Sequence, residues 1–235
     1  MMTSAVMMLS LRVAPKDEAA FTEFYHHRYI PRLLAVAPEI VSARRYEEWG
    51  VEGSLAWFRK RFLTVYEVAG DDPVAAAAAA LARPGREVEK AEWAAFVAAG
   101  AVKDVERHVY AERWAHPRRG FDGPFGSRPF FMVSVETDPA ETARFDAWYE
   151  ADYLPKTLAD IPTFAACRRY RSLDRDIERV HTVYEANDEA ALIRSFQLLR
   201  APWRYGSNAD WEARVGPAVT WQDAAGWRPI YRRPG

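Results

Sequence analysis

The sequence predicts an α+β fold built from two tandem β-α-β-β-α-β units. Three observations predict it. One eleven-residue frame occurs twice, as FTEFYHHRYIP at 21–31 and FDAWYEADYLP at 145–155; the matches around it hold one register; and each copy opens on strand-like alternation followed by helix-start chemistry. Pairing residue n with n+124 aligns Met8/Met132, Ser10/Ser134, Pro15/Pro139, Phe21/Phe145, Tyr25/Tyr149, Pro31/Pro155 and Arg44-Arg45-Tyr46 with Arg168-Arg169-Tyr170. Beyond that the offset becomes 118, pairing Thr64-Val65-Tyr66-Glu67 with Thr182-Val183-Tyr184-Glu185, then Pro84/Pro202 and Trp93/Trp211. The first copy therefore has six extra residues, around EEWGVEGSLAWFRKR. Near each end ERHVYAER resembles WRPIYRRP, which pairs Arg107/Arg228 and Tyr110/Tyr231.

Each element has a local cause. AVMMLSLRV and PFFMVSVET have the length and alternation of strands. Asp138, Pro139 and Glu141 read as an N-cap, a proline at the first helical position and a capping box. Phe145, Trp148, Tyr149, Asp152 and Tyr153 then recur at helical steps, as do Phe21, Phe24, Tyr25, Arg28 and Tyr29, and Pro31 and Pro155 are expected to stop these helices. Strands follow at SARRYE and AACRRYR and at FLTVYEVA and VHTVYEA, then helices over 72–83 and 188–200, and a last strand closes each unit. This is the ferredoxin-like order. It divides the chain into units at 1–115 and 129–235, joined by the Gly/Pro/Arg-rich linker 116–128. A four-stranded sheet with helices on one face leaves the other bare, and two copies in one chain can cover each other.

A formal charge of −1, from 32 basic and 33 acidic side chains, gives no footprint for nucleic acid. The opening segment lacks the apolar run of a signal peptide or membrane span, and a lone cysteine, Cys167, forms no internal disulfide. A cytoplasmic protein without a membrane partner is expected.

With Phe24-Tyr25…Tyr29-Ile30-Pro31 and Trp148-Tyr149…Tyr153-Leu154-Pro155 in hand, the chain resembles the dimeric α/β-barrel superfamily, in particular its EthD-like branch. The resemblance implies two ferredoxin-like units packed sheet to sheet as an intramolecular α/β barrel, each with room for a small-molecule pocket between sheet and helices. It also implies a repertoire of monooxygenases, cyclases, decarboxylases, isomerases and dehydratases working without a cofactor, besides haem-binding branches. The family's helix histidine, two residues before the proline, is Tyr29 in one copy and Tyr153 in the other, so its role does not carry over.

Among five histidines, His108, His181 and His27 are candidate acid–base groups. His27 shares a helix face with Phe24 and is the better placed of the His26-His27 pair for burial. His108 shares a strand face with Tyr110 and Glu112, while His181 replaces Leu63 of the first copy. His116 lies in the linker and reads as inert. Tyr29 and Tyr153 are candidate hydrogen-bond donors, and Glu150 and Asp152 are further carboxylates that read more simply as solvated. Arg44 and Arg168, on strand faces shared with Tyr46 and Tyr170, are candidate anchors for a substrate carboxylate, with Tyr110 beside them. Cys167 reads as a small core residue.

No nucleotide loop, paired-cysteine spacing or His-Glu-x-x-His motif is present, so neither a cofactor nor a metal is expected. The expectation is a cofactor-independent lyase or isomerase acting on a small aromatic or polyketide-like acid. A cofactor-independent monooxygenase on a phenol and a non-catalytic small-molecule binder are the alternatives. A homodimer beyond the internal pairing is left open.

Overall fold

The structure is a computed structural model and describes residues 5–50, 58–116 and 125–234. The first copy contains β1 (Ala5–Val13), α1 (Glu18–Phe24), a π-helical turn (Tyr25–Tyr29), α2 (Ile30–Val36), β2 (Ile40–Glu48), β3 (Arg61–Val68), α3 (Pro73–Ala82), α4 (Glu87–Ala98) and β4 (Val102–Ala115). The second contains β5 (Phe130–Thr137), α5 (Thr142–Trp148), a π-helical turn (Tyr149–Tyr153), α6 (Leu154–Asp160), β6 (Phe164–Ser172), β7 (Arg179–Ala186), α7 (Glu189–Leu199), α8 (Tyr205–Ala218) and β8 (Val219–Pro234). The strands form a closed barrel in the order β1-β3-β2-β8-β5-β7-β6-β4. The fold class is therefore the α+β barrel that the duplication predicts.

Of the described residues, 5–48, 59–111 and 229–234 make one compact unit, and 49, 50, 58, 112–116 and 125–228 the other. Most of the expected linker and most of the six-residue insertion lie outside the described residues.

The repeat register is physical. Ser10 stands opposite Leu63 on β3 as Ser134 stands opposite His181 on β7, and Tyr46 pairs with Leu63 as Tyr170 pairs with His181. The last strands correct the sequence pairing. Met8 faces His108 and Met132 faces Ala225, so β4 and β8 correspond at an offset of 117, not the 121 that aligns Tyr110 with Tyr231. A slip of that even size keeps every side chain on the same sheet face, so period-two alternation imitates homology there.

The helices also depart from expectation. Pro31 and Pro155 do not end them; each sits in the first turn of a continuing helix, α2 or α6. The preceding turn is π-helical in both copies, with Ile30 N–H donating to the Tyr25 carbonyl and Leu154 N–H to that of Tyr149. This wider i→i+5 register relieves the clash between a proline ring and the carbonyl four residues back. At the start of the second copy Asp138 accepts the Ala140 N–H with its carboxylate, but the helix proper begins at Thr142, and Glu141 pairs with Arg144 instead of closing a capping box. Asp72 and Asp188 cap α3 and α7 directly. Helices α4 and α8 were not expected. Their apolar residues form no clean stripe, yet Trp93 and Trp211 from them pack on the two cores.

Each core lies between a sheet face and its helices. Met7, Leu9, Leu11 and Val13 meet Phe21, Phe24, Tyr25, Ile30 and Leu33 in the first unit. Phe131 and Val135 meet Phe145, Trp148, Tyr149, Leu154 and Leu158 in the second.

Candidate active site

In the second unit this layer encloses a cavity of about 500 Å³, walled by Phe131, Val133, Tyr149, Tyr153, Phe164, Tyr184, Leu199 and Trp211, with Thr157, Arg200, Glu212, Gln222 and Asp223 as its polar members. The π-helical turn supplies its central wall. Tyr149 and Tyr153 stack at 5.1 Å and 12°, and Trp211 from α8 lies 5.0 Å from the Tyr153 ring.

The two tyrosine hydroxyls have different surroundings. Tyr149 Oη is 3.0 Å from Tyr184 Oη, with Thr182 beside it. Burial pushes both Tyr149 and Tyr184 well above the ordinary phenol range. Thr157 and Arg204 stand beside the Tyr153 hydroxyl; burial raises its pKa, and these two neighbours oppose that rise.

Arg169 supports the wall from behind. Its buried guanidinium lies 4.8 Å from the Tyr149 ring centroid and pairs with Asp146 at 2.7 Å and Glu150 at 2.5 Å. Arg113 bridges the same carboxylates at 2.6 and 2.7 Å. Two arginines and two carboxylates thus balance in a buried cluster.

The first unit keeps the aromatic frame and loses the polar trim. Tyr25 and Tyr29 stack at 5.2 Å, Trp93 lies 5.3 Å from Tyr29, and Tyr25 Oη is 2.6 Å from Tyr66 Oη. At the positions of Thr157, Arg200 and Glu212 stand Leu33, Ala82 and Ala94. Phe96 packs 5.4 Å from both Phe21 and Phe24, whereas its counterpart Arg214 lies outside over Trp148. The carboxylate cluster is gone too. Arg45 Nη1 contacts Thr22 at 3.3 Å and His26 Nε2 at 3.0 Å, where Arg169 has Asp146 and Glu150.

The structure brings one of the sequence candidates, Tyr153, into this cavity; Tyr29 holds the same place in the first unit. His27 is exposed near Glu23, and it is His26 that is buried, stacked 4.3 Å from Tyr231, whose hydroxyl donates to the His26 carbonyl. In this wider turn Phe24 meets Tyr29 and Arg28 instead of His27, and His26 turns toward Arg45. His108 is partly exposed, 3.8 Å from Glu106. Buried His181 accepts or donates a 2.7 Å bond with Ser134, on the sheet face turned away from the helices.

Arg44, Tyr46, Arg168 and Tyr170 occupy that same sheet face and are buried, as is Tyr110. Arg44 donates to Ser42, Arg168 is 3.7 Å from Glu112, and Phe125 stacks on Tyr170. The arginines at the aromatic wall are their neighbours Arg45 and Arg169, one residue further along each strand. Sequence reasoning also missed Glu212 and Thr157, whose signal was available: each is polar where the other copy has alanine or leucine. Cys167 is a buried core residue whose thiol is held well above its ordinary pKa by burial. Among the described residues no three His, Cys, Asp or Glu side chains gather into a metal site, and no helix is long and apolar enough to cross a membrane.

No family model matches the chain, and no curated protein matches its sequence. Solved structures do match. An anthrone oxidase-like protein superposes with a TM-score of 0.69 at 12% identity, over 99% of this chain and 93% of that one. The chain shares its fold. A monooxygenase candidate from Fusobacterium nucleatum matches at 0.60 and 9% identity over 99% and 94%, and a chlorite dismutase candidate at 0.52 and 14% over 98% and 96%. At such identities the likeness is one of architecture, and function is argued from the cavity.

Proposed function

We propose that this chain is a cofactor-independent enzyme that removes a proton from a flat aromatic or polyketide-like acid held in the second unit's cavity, as a lyase or isomerase does. The observation that carries the reading is the cavity: about 500 Å³, aromatic on its walls, with Arg200 and Glu212 among its polar members. That volume suits a small organic ligand, and the stacked rings suit a planar one.

Glu212, on the helix that carries Trp211, takes the carbon-bound proton; the Tyr153 hydroxyl donates to the oxygen on which charge develops; Arg200 anchors a substrate carboxylate. The histidines stand outside this cavity, so carboxylate and phenol replace them in the acid–base roles. The paired tyrosines before Pro31 and Pro155 also support placing the chain in the EthD-like branch.

A second reading is favoured by the shared fold with the monooxygenase candidates and the anthrone oxidase-like protein. The same carbanion would then meet molecular oxygen. Incubating the protein in air with pooled aromatic and polyketide-like acids and phenols, followed by mass spectrometry, separates the readings. Loss of carbon dioxide or water, or an isomer of unchanged mass, supports the lyase or isomerase; an added oxygen supports the monooxygenase. Glu212→Gln is expected to slow either by about 10²-fold or more, and unchanged turnover in that variant would remove Glu212 from the mechanism. A protein that binds pool members and converts none is a binder.

A further inference from the structure

The second unit's cavity has a support that the matching aromatic frame of the first unit lacks. Arg204, at the entry to α8, is fully buried; its Nη1 lies 3.2 Å from Asp160 Oδ2 and its Nη2 3.3 Å from Thr157 Oγ1, and its charge beside the Tyr153 hydroxyl opposes the rise that burial imposes on that phenol. Thr157 and Tyr153 line the cavity. A guanidinium has only donors, so toward the neighbouring phenolic oxygen Arg204 can act only as a donor, which leaves the phenol's own proton to be directed elsewhere.

The first unit keeps the arginine but not its setting. Arg86 occupies the equivalent place and is equally buried, yet Leu33 and Val36 stand where Thr157 and Asp160 would be. Arg86 donates instead to the Leu81 carbonyl and lies 5.3 Å from the Tyr29 ring. An arginine seated on a carboxylate beside the tyrosine hydroxyl therefore belongs to the copy with the polar cavity.

We infer that Arg204, seated by Asp160, is the positioning residue of the second-unit site, fixing the Tyr153 hydroxyl so that this phenol, and not Tyr149, exchanges a proton with the substrate. Tyr149 is tied to Tyr184, with Thr182 beside it, so its hydroxyl is committed within the wall. As Glu212 takes the carbon-bound proton, Tyr153 gives its own to the forming enolate oxygen. The tyrosinate left behind is held by Arg204 and Thr157, and regains a proton when the enol collapses or leaves. This inference rests on the cavity being the site.

The test places 3,5-difluorotyrosine at position 153, which brings the phenol's titration toward neutrality, and follows it by fluorine NMR. Arg204→Met is expected to raise the midpoint by about 1 pH unit or more, and Thr157→Val by less, while Arg204→Lys restores part of the shift. Thr157→Val changes no charge, so it decides the matter should Arg204→Met fail to fold. In parallel, fluorescence of 1-anilinonaphthalene-8-sulfonate reports cavity binding, and Ala224→Trp, which fills the cavity, is expected to abolish it. Binding that survives Ala224→Trp overturns the cavity reading and the inference with it. Binding lost in Ala224→Trp with an unmoved Tyr153 midpoint in the Arg204 and Thr157 variants leaves the cavity standing and overturns the role of Arg204.

Discussion

His26 and Glu150 occupy one position of the repeated frame, and their environments explain why the two copies diverge. Around Arg169 the second unit places Asp146, Glu150 and Arg113; around Arg45 the first places Thr22 and His26, and Ile230 stands at the position of Arg113 in the strand register. Two carboxylates and one arginine are thus exchanged for uncharged groups together, so neither core is left with an unbalanced pair of anions. Because Arg45 can only donate, His26 Nε2 must accept, which requires a neutral ring. Burial, followed by the charge of Arg45, lowers the His26 pKa to about 4. In the unfolded chain the group titrates near 6.5, so between pH 6.5 and 4 the unfolded state binds more protons. The contribution is complete above 6.5 and is lost as pH falls toward 4. Urea unfolding across that range should show stability falling with pH, and His26→Gln, which keeps an acceptor for Arg45, should flatten the slope; an unchanged slope would mean that His26 is protonated in the fold. The sequence showed that histidines and carboxylates alternate in the frame, but the buried arginine that sets their roles is neighbour to the arginine it singled out, and a strand reverses face at every residue.

At the level of elements, the repeat was readable wherever local chemistry and long-range register agree. Strands β1, β2, β3 and their counterparts follow the alternation and offsets read from the sequence, and the capped helices α3 and α7 follow their aspartates. Asp188 accepts the Ala191 N–H at 2.8 Å. Replacing it by alanine should cost about 1 kcal/mol in urea unfolding; no loss would mean that α7 is held by packing alone. Where competing interactions govern, the sequence was less legible. Prolines read as helix ends are absorbed by π-helical turns whose register depends on the carbonyls of Tyr25 and Tyr149. The β4/β8 correspondence slipped because alternation is nearly blind to an even shift. Helices α4 and α8 bury only parts of their surfaces, so they lack the stripe that identifies a helix.

Over the whole molecule, the duplication explains both the closed strand order and the difference between the two helix–sheet layers. A symmetric pair of identical chains carries identical sites, whereas a fused pair is free to keep Thr157, Asp160, Arg200 and Glu212 in one copy and Leu33, Val36, Ala82 and Ala94 in the other. The fold was legible because both copies repeat the same pattern; the site was not, because it resides in the few positions where they differ. The central claim is that one unit carries the ligand site. Isothermal titration of the protein with 1-hydroxy-2-naphthoic acid, a planar aromatic acid, tests it most directly. One ligand per chain, lost in Ala224→Trp, is the predicted result; two equivalent sites per chain, or binding undiminished in that variant, would contradict it.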